Sequence, residues 1–205
     1  SDVRITFDIN AGMNPSLAWA GSEYGVGWHD NRAGNDEIYF ARISTGGSKI
    51  GGDVRISNAP GYSYGPSLVW IGSEYGVSWY DNRSAIWEIY FARISSSGVK
   101  MSNDEKISNS AGATFPSMVW TDSEYGLSWQ DERDGNREIY FARIGCDNDG
   151  DGLDNVWEES YGCMQASTID NLADYDSDGL NNQQEYGANT NPCVADTDHD
   201  LALDG

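Results

Sequence analysis

Two stretches near the C-terminus, DNDGDGLDNVWE from Asp147 and DYDSDGLNNQQE from Asp174, place oxygen-bearing side chains at the same intervals. Aspartates stand at positions 1, 3 and 5, glycine at 6, asparagine at 9 and glutamate at 12. Calcium is a hard cation that takes about 6–8 oxygens at about 2.3–2.6 Å, and alternate residues of a tight loop aim their carboxylates inward to supply them. The spacing assigns Asp147, Asp149, Asp151, the carbonyl of Leu153, Asn155 and Glu158 to one calcium site. It assigns Asp174, Asp176, Asp178, the carbonyl of Leu180, Asn182 and Glu185 to a second. Gly152 and Gly179 permit the bend that a side chain would obstruct. Glu158 and Glu185 fall where a short helical turn closes each site with two oxygens. A third run, DTDHDLALD, keeps Asp196, Asp198 and Asp200 but has Leu201 where glycine belongs, so it predicts a partial or shared site.

Charge points the same way. The chain carries −21, and residues 144–205 hold 15 of its 33 acids and none of its 12 Lys and Arg. Carboxylates at about 4 Å repel by about 1 kcal/mol per pair even in water. Such a segment is either solvated and disordered or folded around cations. A solvated linker leaves the glycines, the closing glutamates and the apolar Leu153, Trp157, Leu180 and Tyr186 without a purpose. The same charge repels nucleic acid and anionic membrane surfaces. No apolar run approaches the ~18–20 residues needed to span a bilayer. All three cysteines lie in this segment. A Cys163–Cys193 bridge around the second loop is the preferred pairing and Cys146–Cys163 around the first the alternative, because sequence does not fix connectivity. Either suits an extracellular or cell-surface location.

Upstream, the chain repeats itself. SEYGVGW at Ser22, SEYGVSW at Ser73 and SEYGLSW at Ser123 align copies 2–52, 53–103 and 104–144, with one deletion before Pro116. These form a repeat domain of 1–144, followed by the acidic segment 145–205, which reads as continuing in a longer protein. Each copy offers four strand-like runs: PSLAWAG, EYGVGWHD, EIYFARI and, after a Gly/Ser loop, DVRIS. Side chains in these runs alternate with period two, and no run keeps a helical period. Four antiparallel strands per ~50 residues predict a propeller blade. The expected fold is all-β: a propeller-like array of three four-stranded repeats, then a small calcium-loop tail with short helical turns. Closure as a three-fold β-prism is the alternative. The leading run DVRITF reads as a fourth strand placed to complete the last blade.

Trp19, Trp70 and Trp120, with Trp28, Trp79 and Trp129, recur in every copy and are expected to pack between blades. Asp30, Arg32 and Glu37 recur as Asp81, Arg83, Glu88 and as Asp131, Arg133, Glu138, which suits ion pairing across one turn rather than catalysis. His29, Tyr64 and Trp87 are unshared and form no recognisable constellation.

GSEYGVSW resembles the Asp-box hairpin of sialidase-type propellers, Ser-x-Asp-x-Gly-x-Thr-Trp: Gly76, Ser78 and Trp79 match, and Gly72 and Glu74 depart. The EIYFAR portion is similar to repeats of secreted bacterial propeller proteins. The acidic loops have the spacing of the EF-hand, and the run YGANTNPCVADTDHD resembles thrombospondin type 3 repeats and related calcium repeats of bacterial surface proteins. That resemblance implies calcium-dependent, rod-like spacer modules at or outside the cell surface. Dockerins carry paired loops of this kind and are the alternative.

The function expected on these grounds is a secreted or cell-surface structural and adhesive binding protein, not an enzyme, whose calcium-rigidified tail is a spacer or assembly element. Its expected partners are neighbouring copies or a surface or matrix protein, with no nucleic acid and no membrane insertion. A glycan-binding, lectin-like propeller, or an accessory part of a carbohydrate-active enzyme, is the alternative.

Overall fold

The computed structural model describes residues 2–7, 12–109, 112–145, 151–199 and 202–205. The first copy forms β1 (Met13–Trp19), β2 (Glu23–Asp30), β3 (Glu37–Ser44) and β4 (Lys49–Arg55), hydrogen-bonded in that order. The second forms β5 (Ser63–Trp70), β6 (Glu74–Asp81), β7 (Glu88–Ser95) and β8 (Glu105–Lys106) in the same order. The third forms β9 (Thr114–Trp120), β10 (Glu124–Asp131) and β11 (Glu138–Gly145), a three-stranded sheet among the described residues rather than the expected four. The fourth strand is outermost, bonds on one edge only and has few apolar anchors. It shrinks from seven residues in β4 to two in β8. The run at 2–7 forms no strand. Ile5 packs instead against Trp28, Tyr39, Ala41 and Ile43 on a face of the first sheet.

The recurring polar residues turn out to be fasteners. Trp28 Nε1 donates to Asp30 at 2.8 Å, Trp79 to Asp81 at 3.0 Å and Trp129 to Asp131 at 3.1 Å. The arginine two residues on donates to the same carboxylate. Its guanidinium lies over the third-strand tyrosine, at 4.3 Å for Arg32–Tyr39, 3.9 Å for Arg83–Tyr90 and 3.8 Å for Arg133–Tyr140. Arg32 and Arg83 also reach Asp53 and Asp104, the first residues of the following copies, at 2.7 and 2.8 Å. The glutamate of each SEYG pairs with the arginine of FAR: Glu23–Arg42 and Glu74–Arg93 at 2.5 Å, Glu124–Arg143 at 2.6 Å.

Successive sheets meet through their first strands: β1 and β2 lie against β5, and β5 and β6 against β9. Before the prolines at 15, 66 and 116, Asn14, Gly65 and Phe115 take left-handed φ of 49°, 58° and 55°. The ladder shifts register there in β1 and β5, as a bulge does. Just past it, Leu68 N donates to Ser16 Oγ at 2.9 Å and Met118 N to Ser67 Oγ at 3.0 Å, the same bond between successive copies. Ile38 and Phe40 of the first sheet share a core with Leu68, Tyr75, Val77 and Trp79 of the second. Trp28, Trp79 and Trp129 are buried; Trp79 lies in the core shared by the first two sheets, whereas Trp28 packs against Ile5, Tyr39, Ala41 and Ile43 of its own copy rather than between blades as expected. Trp19, at a hairpin end, is 48% exposed, its ring tilted against Tyr24 at 4.7 Å rather than filling the core.

The chain divides into two compact units, Ser1–Asp122 with Gly126–Ala142, and Ser123–Tyr125 with Arg143–Gly205. The second unit holds α1 (Asn155–Glu159) and α2 (Asn182–Ala188), each directly after an acidic loop.

Candidate metal centres

The second acidic loop presents its oxygens as the spacing requires. Asp174, Asp176 and Asp178 each offer a carboxylate oxygen within 4.8 Å of one another. Backbone donors set their orientation: Ser177 N on Asp174 Oδ1 at 2.7 Å, and Leu180 N on Asp178 Oδ1 at 2.8 Å. Gly179 makes the bend at φ 107°, and Ser177 precedes it in the left-handed region at φ 65°. Asn181 caps α2 in a reciprocal capping box with Gln184, which places Glu185 one turn into the helix. Glu185 is fully buried, and neither of its carboxylate oxygens has a hydrogen-bond donor. Asp176 Oδ2, Asp178 Oδ2 and Asn182 Oδ1 are likewise buried without a donor. Burial first, then the charges of Asp176, Asp178, Asp174 and Asp204, push the Glu185 carboxyl up to about 7. Unpaired buried carboxylate oxygens are expensive. These oxygens fit a hard divalent cation, which would supply the missing positive charge.

The first loop is described only from Asp151. Asp147, Asp149 and Cys146 lie outside the described residues, as does the side chain of Asn155. Asp151 and Glu158 come together as expected, and a third carboxylate joins them: one oxygen each of Asp151, Glu158 and Asp170 lies within 4.8 Å of the others, all three residues being buried. Asp170 belongs to neither loop in sequence. The chain doubles back because Asp151 Oδ2 accepts the backbone N–H groups of Asp170 and Asn171 at 3.0 and 2.9 Å. Leu153, at position 7, is buried and its N–H donates to Asp151 Oδ1 at 3.0 Å. Asp154 caps α1 through the N–H of Trp157 at 2.7 Å and accepts Tyr186 Oη at 2.9 Å, which ties the two helices together.

In the third run, His199 takes the left-handed φ of 61° that Ser177 has at the same loop position. Asp200 and Leu201 lie outside the described residues, so the geometry of a site with Asp196 and Asp198 is not defined. Cys163 and Cys193 form a disulfide with Cα atoms 5.9 Å apart, the preferred pairing.

In the repeat unit, Asp30, Arg32 and their counterparts are engaged in the fasteners described above, whereas Glu37 pairs with Arg55 of β4 and Glu88 with Lys106 of β8 rather than across the turn. Sequence reasoning left His29, Tyr64 and Trp87 unconnected, whereas the structure brings them to one rim, where Tyr64 touches both of the others.

No family model and no curated protein matches the chain. Among solved structures it is similar to a thermostable family-43 glycoside hydrolase (14% identity, 65% of this chain and 54% of that one, TM-score 0.47). It is also similar to a GH43 endo-arabinanase from Bacillus licheniformis (15%, 64% and 51%, TM-score 0.47). A third is a member of the GH130 family of mannoside phosphorylases (14%, 68% and 53%, TM-score 0.39). The chain spans about half the length of each. These enzymes correct the expectation that the chain is not an enzyme, and that exclusion is withdrawn. Among the described residues no helix is long and apolar enough to cross a membrane.

Proposed function

We infer that this chain is part of a secreted, carbohydrate-related protein. In this reading the three sheets are consecutive blades of a propeller-type array that presents a binding surface. The acidic loops hold calcium and thereby give the following segment its shape. The observation that carries the calcium side is Glu185: a fully buried carboxylate without a hydrogen-bond donor, set beside Asp176 and Asp178. Asp174, Asp176, Asp178 and Glu185 would hold one ion, and Asp151, Glu158 and Asp170 would contribute to another. The disulfide suits the oxidising compartment in which calcium is abundant. Support for the carbohydrate side comes from the rim of the repeat unit, where aromatic rings gather around polar groups.

Calorimetric titration of calcium into the full chain tests the calcium side. Extracellular sites hold calcium with dissociation constants of about 10⁻⁴–10⁻³ M. Calcium tenfold above such a constant stabilises the folded segment by about 1.4 kcal/mol. The expected result is binding that Glu185→Gln weakens by at least about tenfold, while the exposed Glu159→Gln leaves it unchanged. Absence of binding at millimolar calcium, with the acidic segment still folded, overturns it.

A further inference from the structure

The three copies agree in their core and fasteners and differ at one end of their strands. His29, Tyr80 and Gln130 occupy one repeat position, Met13, Tyr64 and Thr114 a second, and Asp36, Trp87 and Arg137 a third. Repeat scaffolds carry their specificity at positions that packing leaves free.

At this end of the second sheet the differing residues are rings in mutual contact. Tyr64 is the hub: its ring lies 5.6 Å from Trp87, 5.9 Å from Tyr80 and 6.1 Å from Tyr62, and Tyr62 is stacked parallel to it at 4°. Tyr80 in turn meets Trp87 at 5.4 Å and Phe115 of the third copy at 5.3 Å. His29 of the first copy stands edge-on to Tyr64 at 4.9 Å. The assembly therefore draws on all three copies. It is not a buried core: Tyr62 and Phe115 are exposed, at 48% and 61%, and Tyr64, Tyr80 and Trp87 are half-buried.

Polar groups edge the rings. Tyr64 Oη donates to Asp36 Oδ2 at 3.1 Å. Asn82 Oδ1 accepts the Tyr62 N–H at 2.8 Å, and Gln130 Nε2 reaches Thr114 Oγ1 at 3.4 Å. His29 is buried, yet its Nδ1 has no hydrogen-bond partner. A buried ring nitrogen left open beside a tyrosine platform costs stability that packing alone does not repay.

We propose that this rim, centred on Tyr64 and formed by Tyr62, Tyr80, Trp87, Phe115 and His29, binds the ring of a neutral saccharide. A sugar ring has an apolar C–H face that stacks on flat aromatic surface and an equator of hydroxyls that hydrogen-bond to acceptors such as Asp36 and to side-chain amides. Tyrosine and tryptophan suit this double demand, with an apolar body and a polar edge. Charge selects the occupant further: with 33 acids against 12 Lys and Arg the chain disfavours acidic glycans. The site specifies the ligand class within the carbohydrate-related function proposed above and rests on that reading. The calcium loops are independent of it.

The full chain is titrated, with calcium present, against neutral oligosaccharides: cellohexaose, xylohexaose, mannohexaose and arabinohexaose. Binding is read by calorimetry and tryptophan fluorescence. One or more is expected to bind. Tyr62→Ala and Phe115→Ala, both exposed rings, weaken binding at least tenfold without lowering the melting temperature, whereas Trp19→Ala, an exposed ring elsewhere, does not. Trp87→Phe removes the fluorescence change. If none of the four binds, both the site and the carbohydrate-related reading fall. If one binds and the rim variants bind it as wild type does, the site falls and the broader reading stands.

Discussion

One residue of the repeat appears in three environments and allows the packing of the sheets to be weighed. Phe40, Phe91 and Phe141 stand at the same position of EIYFAR, yet they are 0%, 2% and 64% exposed. Ile38, Ile89 and Ile139 follow suit at 0%, 0% and 77%. The run EIYFARI is identical in all three strands, so the difference lies in what covers it. Over Phe40 that cover is the next copy, with the Tyr75 ring 5.0 Å away. Truncating a fully buried phenylalanine costs about 3–5 kcal/mol, the transfer loss plus an unfilled cavity. With about two-thirds of its surface already in water, Phe141 loses about a third of the roughly 2–3 kcal/mol that full burial provides, and no cavity forms. Phe40→Ala should therefore lower the melting temperature of the repeat unit by about 10–15 °C and Phe141→Ala by less than about 3 °C. Differential scanning calorimetry of the full chain, kept dilute enough to be monomeric, reads both. Equal losses would refute the reasoning, since some further surface would then have to cover Phe141. A loss under about 1 kcal/mol at Phe40 would refute the packing of the first two sheets.

Two further predictions concern acid and redox sensitivity. Burial holds His29 below its ordinary 6.5, against the pull of Asp36 and Asp30. The unfolded chain therefore takes up a proton near 6.5 that the folded chain refuses, so the stability involved is complete above that value and lost as the pH falls toward the folded-state pKa. Denaturation at pH 7 and 5 should show a fall that His29→Gln reduces, and an unreduced fall would assign it to other groups. Cys163 and Cys193 enclose a loop with a sequence separation of 30, for which chain entropy gives about 3–4 kcal/mol. Reduction should therefore speed hydrogen exchange across residues 163–193 and leave β1–β7 unchanged. Faster exchange in those strands as well would contradict the division into two units.

The acidic loops were legible as candidate cation sites because the chemistry their spacing suggests is local. A cation needs oxygens from alternate residues of one short loop, so a spacing of twelve residues contains nearly all of it. Asp170 was not legible for the converse reason: it reaches Asp151 and Glu158 only because the chain doubles back, and the bonds that turn it run from the backbone N–H groups of residues 170 and 171 to the Asp151 carboxylate, donors that every residue but proline carries and that leave no pattern in the sequence. The strands were legible from alternation, except where a run has an edge but no anchor, as at 2–7 and at β8. Two sets of recurring tryptophans looked equivalent in sequence. Only depth within the sheet separates Trp28, Trp79 and Trp129, locked onto buried aspartates, from Trp19 at a hairpin end.

The Tyr64 rim escaped sequence reasoning because aligning repeats rewards what recurs. The fasteners recur because each copy must solve the same folding problem: an arginine over a tyrosine, a tryptophan on an aspartate, and a glutamate closing the hairpin. Once they are made, three positions at one end of the strands are relieved of structural duty. A ring placed there by one copy is of little use to that copy's own core, but serial packing of the sheets sets it beside rings from the copies on either side. Tyr64 meets His29 from before it, and Tyr80 meets Phe115 from after it. Repetition supplies a rigid frame, and departures from it supply the surface. In a chain of this architecture the residues that break the period are the ones to examine first for binding.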